Sequence, residues 1–394
     1  MEQQAIELKK EITTRLKKYI NNDTIIVRSP GRINLIGEHT DYNEGFVLPA
    51  AIDKAAYIAL TPRTDNKIIL HAIDLNETHE TTTDQIIESE ISWPNYLLGV
   101  ADQYKQKGIV INGFEAALTA DVPTGSGLSS SAAVECAMAM ALNEYLKSSL
   151  DKFTLVKMSQ HAEHEFAHVQ CGIMDQFASM FGKKNHAVKL DCRSLDYEYV
   201  PLNMQGITIV LFDSDVKHAL ASTEYNTRRH QCEEGVSILK KYFPEIKNLR
   251  DVNIEMLDKY VAEKDALIYQ RCKYVVEENA RLLKACGDLK KDDINSLGKQ
   301  MFASHEGLSK QYEVSCDELD FLVDYVKNNK AILGARMMGG GFGGCTINLV
   351  KNEAVENLKE NITTAYYKHT GKELKTYMAQ IEDGTSFINS KSFG

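Results

Sequence analysis

The stretch PTGSGLSSSAAVE, Pro123 to Glu135, limits what this chain can fold into more than any other part of it. Upstream, GIVINGFEAALTADVP reads as a pair of β-branched strands ending at Pro123. Downstream, SSAAVECAMAMALNEYLK is rich in Ala, Met and Leu, which form helices readily. A chain that passes from strand to helix through Gly125, Ser126, Gly127 and Leu128 brings bare backbone and the unpaired N–H groups of a helix start to one point. That combination suits an anion. Ser129, Ser130 and Ser131 can cap the helix, donate to phosphate oxygens or offer a hydroxyl to magnesium. A capped helix after a glycine turn accounts for the serines alone; the complete Pro-x-x-x-Gly-Leu-Ser-Ser-Ser-Ala string is more specific than a cap needs and favours phosphate.

The rest of the chain supplies strands and helices in mixture, which points to an α+β protein. NDTIIVRSPGR, AAYIALTPR and NKIILHAI read as strands, a second helix is expected from Leu155 to about Val169, and AVKLDCRSLDYEYVPL returns to strand-like alternation. The later half holds the strand GITIVLFDS, charged helical patterns from Thr223 to Leu289, and a glycine cluster at 339–344 before the strand-like CTINLV. With 394 residues, two domains are expected, 1–200 and 201–394. Ile6, Ile12, Leu16 and Ile20 recur at near-helical spacing among charges, so the start reads as an amphipathic helix of a cytoplasmic protein and not a signal peptide. No apolar run reaches the length of a membrane span, and the charge of -10 without a dense basic patch disfavours nucleic acid. The eight cysteines lie singly, with no C-x-x-C pair, and so indicate neither a zinc ribbon nor a disulfide framework.

A second stretch carries chemistry. PGRINLIGEHTDYNEGFVLP, Pro30 to Pro49, opens on a turn signal and then sets Arg32, Glu38, His39 and Asp41 close together, although a plain turn needs none of them. Two other motifs mislead. HEFAH, His164 to His168, fits the H-E-x-x-H zinc signature, but Cys171 and Met174 stand where the extended form wants Gly and His. GGGFGG fits G-x-G-x-x-G, yet it opens a strand instead of a helix and so is not a dinucleotide turn. A Walker phosphate loop and the protein-kinase motifs are both missing.

GRINLIGEHTDYNEGFVLP, PTGSGLSSSAAVE, CGIMDQF and MGGGFGGC together resemble the signature blocks of the galactokinases, within the GHMP superfamily of small-molecule kinases. The resemblance covers nearly the whole chain in the expected order. Two small departures are Ser29, where Ala is usual, and Thr124-Gly125-Ser126. The family implies an N-terminal domain like ribosomal protein S5 domain 2, a ferredoxin-like C-terminal domain, and a cleft between them. It implies ATP and Mg2+ as cofactors, galactose as acceptor, and a monomer with small-molecule partners and no membrane or nucleic acid. By the same resemblance Glu38, His39, Thr40 and Asp41 bind sugar, with Tyr225 adding a contact. Asp175 is then the base and Arg32 its neighbour, Gly125 to Ser131 hold phosphates, and Ser131 with Glu163 ligate magnesium. Other readings stay open at this point: a structural Arg32–Asp175 ion pair, a zinc hydrolase built on HEFAH, a sugar sensor without turnover, or a kinase for another sugar.

Overall fold

The protein is described by a computed structural model that covers residues 11–12, 14–123, 125–216 and 221–389. Ile6 and Thr124 lie outside the described residues. Ile12 and Leu16 of the opening helix are buried and pack against Ile26, Ala59 and Ala117, as their spacing requires.

Among the described residues the strands, in chain order, are β1 Ile25–Asn34, β2 Phe46–Val47, β3 Pro49–Pro62, β4 Lys67–Ala72, β5 Glu77–Thr82, β6 Phe114–Ala120, β7 His186–Asp191, β8 Tyr197–Pro201, β9 Ile207–Asp213, β10 Ile332–Met337, β11 Cys345–Lys351, β12 Lys375–Ala379 and β13 Ser386–Phe387. The first sheet has the order β13-β1-β3-β6-β4-β5, the second β10-β11-β9-β12, and the third β2-β7-β8. The α+β class is borne out. The last strand returns to the first sheet, pairing Phe387 with Val27. Ser29, one of the two departures, meets Thr385 there at 2.8 Å, and the Thr385 hydroxyl donates to the Ser179 carbonyl.

Helix Ser130–Tyr145 begins where its composition changes, and its row from Ala132 to Leu142 is buried. Alanines keep that helix close to β1 and β3. The same core continues into the second sheet through Ile209, Leu211, Ile347 and Leu349.

Three local expectations need correction. Pro30-Gly31 is not a turn: β1 runs through it, and a register shift between Pro30 and Arg32 marks a bulge. A bulge tolerates proline and re-aims the next side chain, here Arg32. The segment before Phe114 is not a strand, because the Ile109 amide donates to the Tyr104 carbonyl to finish helix Ser92–Gln106. Gly113 is pressed so closely on the backbone of Asp65 that a Cβ would lie 2.0 Å from its carbonyl oxygen. The second helix spans Lys152–Phe166 and ends before Val169, with Asp151 accepting from the Thr154 amide at its start.

Two helical glycines give opposite expectations. A Cβ on Gly298 would lie 1.9 Å from the Leu333 carbonyl oxygen, whereas one on Gly287 meets nothing within 4 Å. Gly298→Ala is therefore expected to lose ~1–3 kcal/mol through forced displacement of β10. Gly287→Ala should gain ~0.4–1 kcal/mol by restricting the unfolded chain. Urea midpoints of the two variants, at unchanged slope, check both signs.

Candidate active site

Arg32 organises the site. Its Nε and Nη2 donate to Oδ1 and Oδ2 of Asp175, each at 2.8 Å, and its Nη1 donates to the Gly127 carbonyl. The Arg32 amide also donates to the Leu128 carbonyl. One residue thus joins β1, the start of helix Met174–Phe181 and the glycine turn. Planar bidentate pairing of this kind fixes direction as well as distance.

The glycine turn enters its helix without a side-chain cap. Ser129, at the cap position, has φ 58 and makes no capping bond, and its hydroxyl is turned to Asp175 instead. Ser126 donates to the Pro123 carbonyl at 2.7 Å, and Gly127 has φ 77. Ser131 donates to Oε1 of Glu163 at 2.8 Å. The first-turn N–H groups beside Ser130 therefore have no side chain competing for them, which leaves them available to an anion.

A cavity of about 280 Å³ opens beside the Arg32–Asp175 pair, lined by Arg32, Glu38, His39, Asp41, Asp175 and Tyr225, with Gly339 to Gly341 closing one side; Gly125 to Ser131 do not line it. Glu38 is buried; its Oε1 accepts from Arg336 at 2.9 Å and from the Gly339 amide at 2.8 Å. Asp41 stands against Gly172, where a Cβ would come within 1.8 Å of its carboxylate. Burial, with Asp175 and then Glu38 adding repulsion, pushes its pKa up to about 7. Burial lowers His39 to about 3, so the imidazole is neutral. Glu163 is pushed up by burial, although Ser131 opposes the shift.

Of the residues the sequence singles out, Thr40 and the histidines of HEFAH are placed differently. The Thr40 hydroxyl is buried against the Gly37 and Phe46 carbonyls and does not reach the cavity. His164 bonds the Cys171 carbonyl at 2.9 Å, while His168 lies past the helix end at φ 56 and meets Glu88. The two imidazoles do not share a helical face. Among the described residues no group of three or more His, Cys, Asp or Glu converges to hold a metal. Nor is any helix among them long and apolar enough to cross a membrane.

Residues 16–62 match the galactokinase galactose-binding signature, 95–183 the GHMP kinases N terminal domain and 283–369 the GHMP kinases C terminal domain. The chain is 45% identical over 362 residues to the galactokinase of Thermotoga petrophila, covering 92% of this chain and 99% of that one. The Bacillus subtilis galactokinase is 39% identical over 90% of this chain and 92% of its own. The chain belongs to the galactokinase family. Lactococcus lactis galactokinase, solved in complex with galactose, superposes with a TM-score of 0.91 at 32% identity, covering 97% of this chain and all of that one. Methanococcus jannaschii mevalonate kinase, at 18% identity and a TM-score of 0.63, shares the fold alone.

Within this family fold, several residues that sequence reading does not find support the ones it does. Arg336 is fully buried and also donates to the Asn34, Leu35 and Met337 carbonyls. Gln176 donates to Glu163 at 2.6 Å and to Glu135 at 3.1 Å. Only the neighbouring motifs mark them: Arg336 precedes the glycine run, Gln176 follows Asp175, and Glu135 ends the phosphate-loop string.

Asp41 yields a test with a sign. Its folded pKa lies above the unfolded carboxylate value, so the folded state holds the proton more tightly, and the stability contribution is lost as pH rises from about 4 to about 7. Asp41→Asn removes that loss. The variant's gain in unfolding free energy over the parent is expected to be larger at pH 8 than at pH 5, read by urea denaturation at both.

Proposed function

We propose that the protein transfers the γ-phosphoryl group of ATP to the anomeric hydroxyl of α-D-galactose, giving galactose 1-phosphate. The observation that carries this reading is the Arg32–Asp175 pair at the cavity wall, tied to the uncapped glycine turn through the Gly127 carbonyl and the Ser129 hydroxyl. A sugar hydroxyl is a weak nucleophile, and Asp175 at the cavity wall can accept its proton. Arg32 holds that carboxylate in line and adds positive charge where the alkoxide and the transferring phosphoryl group develop negative charge. A base of this kind contributes ~100-fold to ~10,000-fold, so orientation supplies most of the rest.

The sugar is recognised by Glu38, Asp41 and Tyr225, whose polar atoms line the cavity. Ionised carboxylates accept hydroxyl hydrogen bonds in defined directions. Both ring nitrogens of His39 and the Thr40 hydroxyl already have protein partners, which gives these two residues a supporting part in the sugar motif. Gly125 to Ser131 offer N–H groups and hydroxyls to the phosphates. The two halves, 1–200 and 201–394, contribute the phosphate turn and the glycine run respectively, and we take the protein to act in the cytoplasm as a monomer.

Magnesium fits the residues present. Ser131 and Glu163 bring two hard oxygens within 2.8 Å, and a cation there would offset the burial of the Glu163 carboxylate. When bound, it supplies positive charge to the triphosphate. Ser131 and Glu163 would hold it, while Gln176 keeps Glu163 oriented through Oε2.

Asp175→Ala is expected to abolish sugar-dependent ATP turnover while leaving ATP binding by calorimetry largely intact, because the base faces the acceptor. Turnover of the parent across free sugars should be greatest with galactose; preference for N-acetylgalactosamine or arabinose would replace the substrate assignment. Glu163→Gln should raise the magnesium concentration needed for half-maximal rate, since a neutral oxygen replaces a charged one. An unchanged magnesium titration removes Glu163 from the metal site.

A further inference from the structure

A chain of hydrogen bonds runs behind the sugar motif and ends on the glycine run. Cys232 Sγ lies 3.2 Å from the Tyr312 hydroxyl, which lies 2.8 Å from the Tyr42 hydroxyl. Tyr42 is 2.7 Å from Nδ1 of His39, and Nε2 of His39 is 3.2 Å from the Gly340 carbonyl oxygen. Cys232, Tyr312 and His39 are buried, and Tyr42 between them is half-buried.

The chemistry of the last member fixes the direction of the whole chain. A carbonyl oxygen only accepts, so Nε2 must carry a proton to bond Gly340. The imidazole is neutral, so Nδ1 carries none and must accept; the Tyr42 O–H therefore donates to it. The Tyr42 oxygen is then free to accept from Tyr312, and the Tyr312 oxygen from the Cys232 thiol. The opposite tautomer would turn the lone pair of Nε2 onto the carbonyl oxygen.

We propose that Tyr42 is a positioning residue: by donating to Nδ1 it holds His39 in the Nε2–H tautomer, whose N–H pins Gly340 and so keeps the glycine run at its place over the sugar cavity. The consequence reaches the substrate through the adjacent residue. The Gly339 amide donates to Glu38, and Gly340 packs against the ring of Tyr225, where a Cβ would lie 3.4 Å away. Releasing Gly340 therefore loosens two of the sugar-facing groups at once, while the Arg32–Asp175 pair, held from β1, is untouched.

The kinetic part of the test rests on the galactose reading; the spectroscopic part does not. Tyr42→Phe keeps the ring and removes the donor, and should raise KM for galactose by about fivefold to tenfold, the worth of one buried hydrogen bond, with a smaller change in kcat. Tyr312→Phe leaves Tyr42 able to donate to His39 and should move KM by less than about twofold, although both variants lose one buried hydroxyl and similar thermal stability. In the long-range 1H–15N spectrum of the parent, His39, assigned by the signal lost in His39→Gln or shifted in Tyr42→Phe, should carry its proton on Nε2. A proton on Nδ1 overturns the proposal. So does an unchanged sugar KM in Tyr42→Phe, or an equal rise in Tyr312→Phe. Should the parent phosphorylate no sugar, the functional reading falls, and the tautomer in the parent and in Tyr42→Phe decides the pin by itself.

Discussion

Much of this structure depends on how one guanidinium is shared. Arg32 presents five N–H bonds, and three are taken by protein acceptors, two on Asp175 and one on Gly127. Those three bonds bring a strand, a helix start and a turn to a common point. The remaining two N–H bonds are what a ligand can receive. A lysine of similar reach would make a point contact and could not hold both carboxylate oxygens and a carbonyl in one plane. Asp175 and the glycine turn take their positions from this plane, which is why the β1 bulge that aims Arg32 matters beyond its own strand.

The arrangement gathers more negative charge than it neutralises. Glu135, Glu163, Asp41 and Asp175 lie close enough that each raised pKa among them names another carboxylate as a cause, after burial. Glu135 is fully buried and only one of its oxygens is bonded, to Gln176. Such groups lower the stability of the empty protein near neutral pH, since the unfolded chain ionises freely where the folded one resists. Strain of this kind is expected at a functional site, where local rules are broken for the sake of a ligand.

How much of this could be read from the sequence follows from the range of the forces involved. Helix Ser130–Tyr145 was legible because its propensity is local, and the strands around NDTIIVRSPGR and AAYIALTPR because their β-branched residues are contiguous. The segment before Phe114 was misread because Ile109 and Ile111 alternate like a strand while the Ile109 amide serves a helix end. Pro-Gly was misread because the two residues that signal a turn also suit a bulge. In the site, short motifs far apart in sequence come together: Arg32, Glu38, Asp41, Asp175 and Tyr225 line one cavity, and the glycine turn bonds to the Arg32–Asp175 pair. What no motif showed was how the supporting residues pair. Arg336 reaches Glu38 across 298 positions, and Tyr42 meets Tyr312 across 270. No periodicity joins residues so far apart.

The same reasoning explains why the carboxylates and the neutral residues of the sugar motif divide as they do. The charged form of a carboxylate is costly to bury without a partner, and Glu38 and Asp41 line a cavity open to a polar ligand. His39 and Thr40 can be neutral and fully bonded inside the protein, and they are. A motif of four consecutive polar residues then separates by chemistry: its carboxylates line the cavity, while its neutral members tie the turn to the backbone at Gly37, Phe46 and Gly340. The glycine run completes that tie because Gly341, at φ 85, presses on the Val314 carbonyl where a Cβ would lie 2.1 Å away. Any side chain there would lift the run off Glu38 and His39 together. The bareness of the run and the polarity of the motif are therefore one requirement: the loop must come close enough for backbone atoms, Gly339 N–H and Gly340 C=O, to act as the partners that the motif lacks within itself.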